Sequence, residues 1–113
     1  MSPSSPFKVS GLSKIHEHWG DDPSEFLLQF HCEVSKHGEP GGEAFHVTVA
    51  SPLQLSKELS HGEGIQLGRG YIFMSDYDER AIVSRLQTLL DGSGATSWEE
   101  LAAYVTKYFN WID

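Results

Sequence analysis

The residues whose types could do chemistry in this 113-residue chain are six histidines, one cysteine and a set of clustered carboxylates. His16-x-His18 would set two imidazoles on one side of an extended segment, and His31 and His46 could be cross-strand neighbours on a polar face. A structural zinc site takes about four ligands and a catalytic one about three, commonly with cysteine or carboxylate at set spacing. No CxxC, no HExxH and no second matching pair accompanies these histidines, so they read as solvated surface residues, with no metal and no cofactor expected. Asp76-x-Asp78-Glu79 clusters three carboxylates, but glycosidase-type acid and base groups must face each other across a cleft. Capping the start of a helix explains them more simply. Cys32 with His31 or His46 is the remaining candidate pair for nucleophilic catalysis. Neighbours on a strand point to opposite faces, so His31 cannot readily activate Cys32, which reads as a buried thiol. Gly62-x-Gly64 and Gly68-x-Gly70 lack the Lys-Ser/Thr of a phosphate loop and read as turns. No catalytic residue is assigned.

The elements that must position these groups are most legible between Glu25 and Pro52. Phe26, Leu28, Phe30, Cys32 and Val34 fall on every second position, giving a strand with one apolar face and Gln29, His31 and Glu33 on the other. Lys36 to Gly42 reads as a turn, and Phe45, Val47 and Val49 repeat the pattern in the next strand. Ser51-Pro52-x-Gln54 supplies an N-cap, a first-turn proline and a capping-box partner for a short helix from about Pro52 to Leu59.

Upstream, Phe7 to Leu12 forms a weakly alternating first strand. Ile15 to Glu25 reads as a turn-rich connector in which Trp19 stands beside Asp21 and Asp22. Downstream, Arg69 to Ser75 is a strand apolar on both faces at its middle, which suggests a central place in the sheet or cover by a helix. Ile82, Val83, Leu86, Leu89 and Leu90 form one helical stripe, ended by Asp91-Gly92-Ser93-Gly94. Ser97-x-x-Glu100 opens a last helix with Leu101, Tyr104, Val105, Tyr108 and Ile112 on one face. Trp98 and Trp111 flank that helix and read as core or edge packing. The expectation is an α+β fold, helices packed on an antiparallel sheet, in the order β-β-β-α-β-α-α. One domain is expected over residues 1–113, with residues 1–6 a flexible tail.

Sixteen acidic and eight basic residues give a formal net charge of −8. Such a field repels phosphate backbones. Lys8, Lys14, Lys36, Lys57, Arg69, Arg80, Arg85 and Lys107 are scattered singly, so no basic patch offers a nucleic-acid interface. A basic partner protein would be attracted and steered. No apolar run approaches the length of a membrane span, no secretory signal is expected, and one cysteine cannot form an internal disulfide. A cytoplasmic protein is expected.

Several segments together resemble the immunity protein 8 family, small bacterial proteins encoded beside polymorphic toxins. They are Trp19-Gly20-Asp21-Asp22-Pro23-x-x-Phe26, the strand from Gly41 to Val49, Ser51-Pro52-Leu53, the run Gly68 to Asp78 with its following helix, and Ser97-Trp98-Glu99-Glu100 with the closing helix. The resemblance spans about Trp19 to Asp113. It implies a cytoplasmic protein that binds one toxin C-terminal domain and blocks it, with no catalytic residues to carry over. Many toxins of such systems are nucleases with basic faces, which the charge of −8 would complement. The contact residues expected on this reading are Trp19, Asp21, Asp22 and Glu25, with Glu39, Glu43, Asp76 and Asp78. Two other readings stand beside it: a small hydrolase or metal-binding enzyme using His31 and His46, and a general protein-binding adaptor.

Overall fold

The structure, a computed structural model, describes residues 5–61 and 70–112. The glycines Gly62, Gly64 and Gly68, expected in turns, lie outside the described residues. At the amino end the described chain begins at Ser5, and the Pro6 carbonyl accepts a 2.9 Å hydrogen bond from the His37 N–H.

Strand β2, Phe26–Lys36, organises the fold as its alternation requires. Phe26, Leu28, Phe30, Cys32 and Val34 are buried, and the residues between them are half-buried or exposed. Antiparallel β3, Gly42–Ala50, continues this face with Phe45, Val47 and Val49. Strand β1, Phe7–Trp19, pairs antiparallel with the other side of β2 and adds Phe7 and Val9. Helix α1, Pro52–His61, follows β3 directly. Helices α2, Glu79–Asp91, and α3, Trp98–Val105, close the core with Ile82, Leu86 and Leu90, then Leu101 and Val105. Full burial of each large apolar side chain is worth about 1.5–3 kcal/mol, so this shared face dominates the stability.

The caps form as the residue types dictate. Ser51 Oγ accepts from the Gln54 N–H at 3.1 Å, Asp78 from Arg80 N–H at 3.0 Å, and Ser97 from Glu100 N–H at 3.2 Å. Glu100 returns the favour at its own helix, accepting from the Ser97 hydroxyl at 3.2 Å. Gln54 does not: its Oε1 is buried without a hydrogen-bond partner among the described residues.

The α+β class agrees with the sequence, but three features do not. First, β1 runs to Trp19 and absorbs half of the expected connector. Two bulges, between Val9 and Gly11 and between Lys14 and His16, each shift the side-chain parity by one residue, so the period-2 signal is lost. Val9 and Leu12 lie opposite Val34 and Cys32, on the same face three residues apart.

Second, the last helix stops at Val105, and Asn110–Ile112 forms a fifth strand, β5, antiparallel to β3. Extending the helix would leave a row of aromatic and branched residues half in solvent. As a strand the segment stacks Trp111 on Phe45 at 6.2 Å, and Phe109 is buried beside it.

Third, the sheet is mixed. Strand β4, Tyr71–Phe73, runs parallel to β3 and lies on the same side of it as β5, at an edge and not at the centre. Parallel neighbours need a crossover connection, and α1 opens the one between β3 and β4. The two short strands meet where Gly70 donates from its N–H to the Tyr108 carbonyl at 2.7 Å and accepts from Thr48 N–H at 2.8 Å. Ile72 packs on the core, whereas Phe73 stays 45% exposed.

Candidate protein-binding surface

Trp19 ends β1 directly opposite Phe26, the first residue of β2, with ring centroids 5.4 Å apart. Tyr77 lies over both, edge-on to Trp19 at 6.2 Å and to Phe26 at 6.1 Å, and parallel to Phe30 at 6.4 Å. Because Tyr77 stands between Asp76 and Asp78, this aromatic cluster joins two acidic segments that the chain separates. The β1–β2 turn with Asp21 and Asp22, and the α2 start with Asp76, Asp78 and Glu79, share one end of the sheet. All five of these carboxylate residues are exposed, as is Trp19 at 42%.

Local bonds hold this end in shape. The Asp22 carboxylate accepts from the Ser24 N–H at 2.8 Å and from its hydroxyl at 2.7 Å, which hold it below the usual carboxylate range. The Gly20 N–H donates to the Glu25 carbonyl at 2.8 Å, and a Cβ at Gly20 would lie 2.8 Å from the Glu25 Cβ, so glycine is required there. Glu17 and Lys14 pair at 2.7 Å on the adjoining stretch of β1, lowering the carboxyl and raising the amine. The Tyr77 hydroxyl is pushed up first by burial and then by Glu79.

The eight residues expected at a contact surface therefore separate into groups. Trp19, Asp21, Asp22, Asp76 and Asp78 come together. Glu25 lies beside them but is buried to 9% exposure and ion-paired with Lys57. Glu39 and Glu43 sit at the β2–β3 turn, the far end of a strand that spans roughly 30 Å at about 3.3 Å per residue. There Glu39 pairs with Lys36 at 3.0 Å and Glu43 accepts from the Trp111 indole N–H at 3.1 Å. Sequence reasoning missed Tyr77 as the organising residue. Its signal was an aromatic immediately before an N-cap, the position of a hydrophobic staple.

Four histidines, His16, His18, His31 and His46, occupy the open face of the sheet. His31 and His46 are opposite each other at 6.0 Å, and His16 and His18 pair on the same face with Gln29 and Leu27. Burial first, and then His31, lower the pKa of His46. Among the described residues no three His, Cys, Asp or Glu side chains converge to hold a metal. Cys32 faces the core, away from these imidazoles, and burial pushes its thiol up to about 12. The arrangement offers a charged aromatic surface.

The family model for Immunity protein 8 matches residues 6–112. The chain belongs to the immunity protein 8 family. Membership makes it an immunity protein directed at a toxin, a role discharged by binding. No curated protein and no solved structure matches the chain significantly. Among the described residues no helix is long and apolar enough to cross a membrane. For an immunity protein, an end that gathers four exposed aspartates beside an exposed tryptophan is a candidate surface for a protein, since a charged rim with an aromatic anchor is what such interfaces use.

Proposed function

We propose that this immunity protein neutralises a cognate toxin C-terminal domain in the cytoplasm by seating its acidic, aromatic end on a basic face of the toxin. Trp19 is the anchor, half-exposed and braced from behind by Tyr77 and Phe26. Asp21, Asp22 and Asp76 supply complementary charge, and Asp78 does so while capping α2. Glu25 acts indirectly, holding Lys57 and the turn. Coverage of the toxin's active site or of its substrate path is the mode of inhibition, and a nuclease is the toxin class whose basic substrate face fits best. The protein itself turns over no substrate and needs no cofactor or metal.

The observation that carries this reading is the closure of Tyr77 on Trp19, which turns two separate acidic segments into one surface. The test is co-expression with the C-terminal domain of the protein encoded immediately upstream. Growth rescue and a co-purifying complex are expected, with affinity falling at least tenfold in Asp21→Asn/Asp22→Asn/Asp76→Asn. Binding should also weaken steeply from low to high salt, since the charges are exposed. Persistent toxicity with soluble, folded protein present would exclude that pairing.

A further inference from the structure

A second surface carries the opposite charge. Beside β4 runs a groove of about 610 Å³, walled by β4, α2, the end of α3 and the segment joining α3 to β5. That volume lies within the roughly 300–1,000 Å³ of ligand-binding clefts. Its two charged lining residues are Arg85 and Lys107, two of only eight basic residues in the whole chain, and no carboxylate lines it among the described residues. Arg85 makes no ion pair among the described residues. Lys107 lies over the Tyr104 ring at 5.8 Å, a cation–π contact that leaves its charge available. Phe73 and Tyr108, at 45% and 46% exposed, are among the large apolar residues most open to solvent. Residues 70, 72 and 74 alternate toward β3 in the parallel ladder, with Met74 N–H donating to the Ala50 carbonyl at 3.1 Å. The backbone groups of Phe73 therefore point away from β3.

We propose that this groove docks an extended segment of the same toxin domain, one that carries carboxylates beside an aromatic or aliphatic side chain. The segment lies in the groove beside β4, its apolar side chain against Phe73 and Tyr108, and its carboxylates on Arg85 and Lys107. Charge complementarity selects this occupant: a basic segment is repelled by the two cations, and a neutral one gains nothing from them. The inference rests on the immunity reading and deepens it. An acidic end and a basic groove together give the complex a fixed orientation, and a toxin with only one matching patch is rejected.

The experiment is titration calorimetry with the catalytically inactivated C-terminal domain of the upstream-encoded protein against four immunity proteins: wild type, Arg85→Glu/Lys107→Glu, Arg85→Ala/Lys107→Ala and Asp21→Asn/Asp22→Asn. Both basic positions are exposed, so near-ultraviolet circular dichroism is expected to be unchanged, and the alanine pair covers the case in which the glutamates disturb folding. The expected result is about tenfold weaker binding for the glutamate pair, a smaller loss for the alanine pair, and a narrowing of both gaps at high salt. Affinity within twofold of wild type for both basic-site variants, with the aspartate pair weakened, would overturn the groove proposal and leave the immunity reading standing. No binding by wild type would overturn both. Sedimentation of the immunity protein alone supplies the remaining outcome. A dimer lost in the glutamate pair would assign the groove to a second copy of this chain and overturn the proposal.

Discussion

Tyr77 packs edge-on against Trp19 with ring centroids 6.2 Å apart, joining the end of β1 to the residue that precedes the α2 cap. Both rings also pack on Phe26, so the contact is shared among three aromatic side chains. Trp19→Ala removes the contacts with Tyr77 and Phe26, and should cost about 1–2 kcal/mol of stability because the indole is already half in solvent. Binding to the toxin should fall more than the fold does, by tenfold or more, as expected of an interface anchor. Denaturant unfolding and calorimetry on the same preparation separate the two effects. Wild-type affinity in a folded Trp19→Ala protein would remove the tryptophan from the interface.

Ser51 ties three segments together. Its Oγ accepts from the Phe26 N–H at 3.2 Å and from the Gln54 N–H at 3.1 Å, and its own N–H donates to the Phe26 carbonyl at 3.0 Å, all in a buried setting. Ser51→Ala strands two donors away from water and is expected to cost about 2–3 kcal/mol, more than an ordinary exposed cap. Equilibrium urea unfolding gives the figure. A loss below about 0.5 kcal/mol would mean that the two amides find other partners.

Acid should weaken the sheet through His46. Burial, and then the facing His31, lower its pKa in the folded protein, while Asn110 on β5 opposite brings no charge. The unfolded chain therefore binds the proton more readily. Stability from this group is complete above the unfolded value near 6.5 and is lost as pH falls from there toward the folded pKa. His46→Gln is expected to show a smaller drop in Tm from pH 7 to 5 than wild type. His31→Gln should show a partial version of the same effect, since it removes only the second cause. Parallel Tm profiles for all three proteins would leave the histidine pair with no part in acid sensitivity.

Cys32 should be inert while the protein is folded. It is fully buried and its thiol is pushed up to about 12, so almost no thiolate exists at pH 8. Reaction with a disulfide reagent is expected to follow global unfolding, with a rate that rises with denaturant as the unfolded fraction does. Fast labelling in native buffer would reveal local opening of β2.

What the sequence by itself determined was everything set by short-range pattern. The alternation of Phe26 to Val34 and Phe45 to Val49 specified two strands and their core face. Ser51, Asp78 and Ser97 specified where helices begin, because a cap needs only its own side chain and the amides two or three residues on. The order of the motifs was enough to point to the family. The site was legible in part: Trp19 and its aspartates could be named, but their meeting with Asp76 and Asp78 could not.

The tertiary structure alone decided the rest, because those features depend on pairings between distant segments that leave no local period. Two bulges erased the alternation of β1 where it is held only by the β2 ladder. Helix propensity in the last segment gave way to the bonds that β3 offers β5. The parallel placement of β4 created the basic groove, and Tyr77 reached Trp19 only once the core had drawn α2 against the sheet. Burial of the shared apolar face drives that assembly, and the two charged surfaces are where it leaves the polar residues.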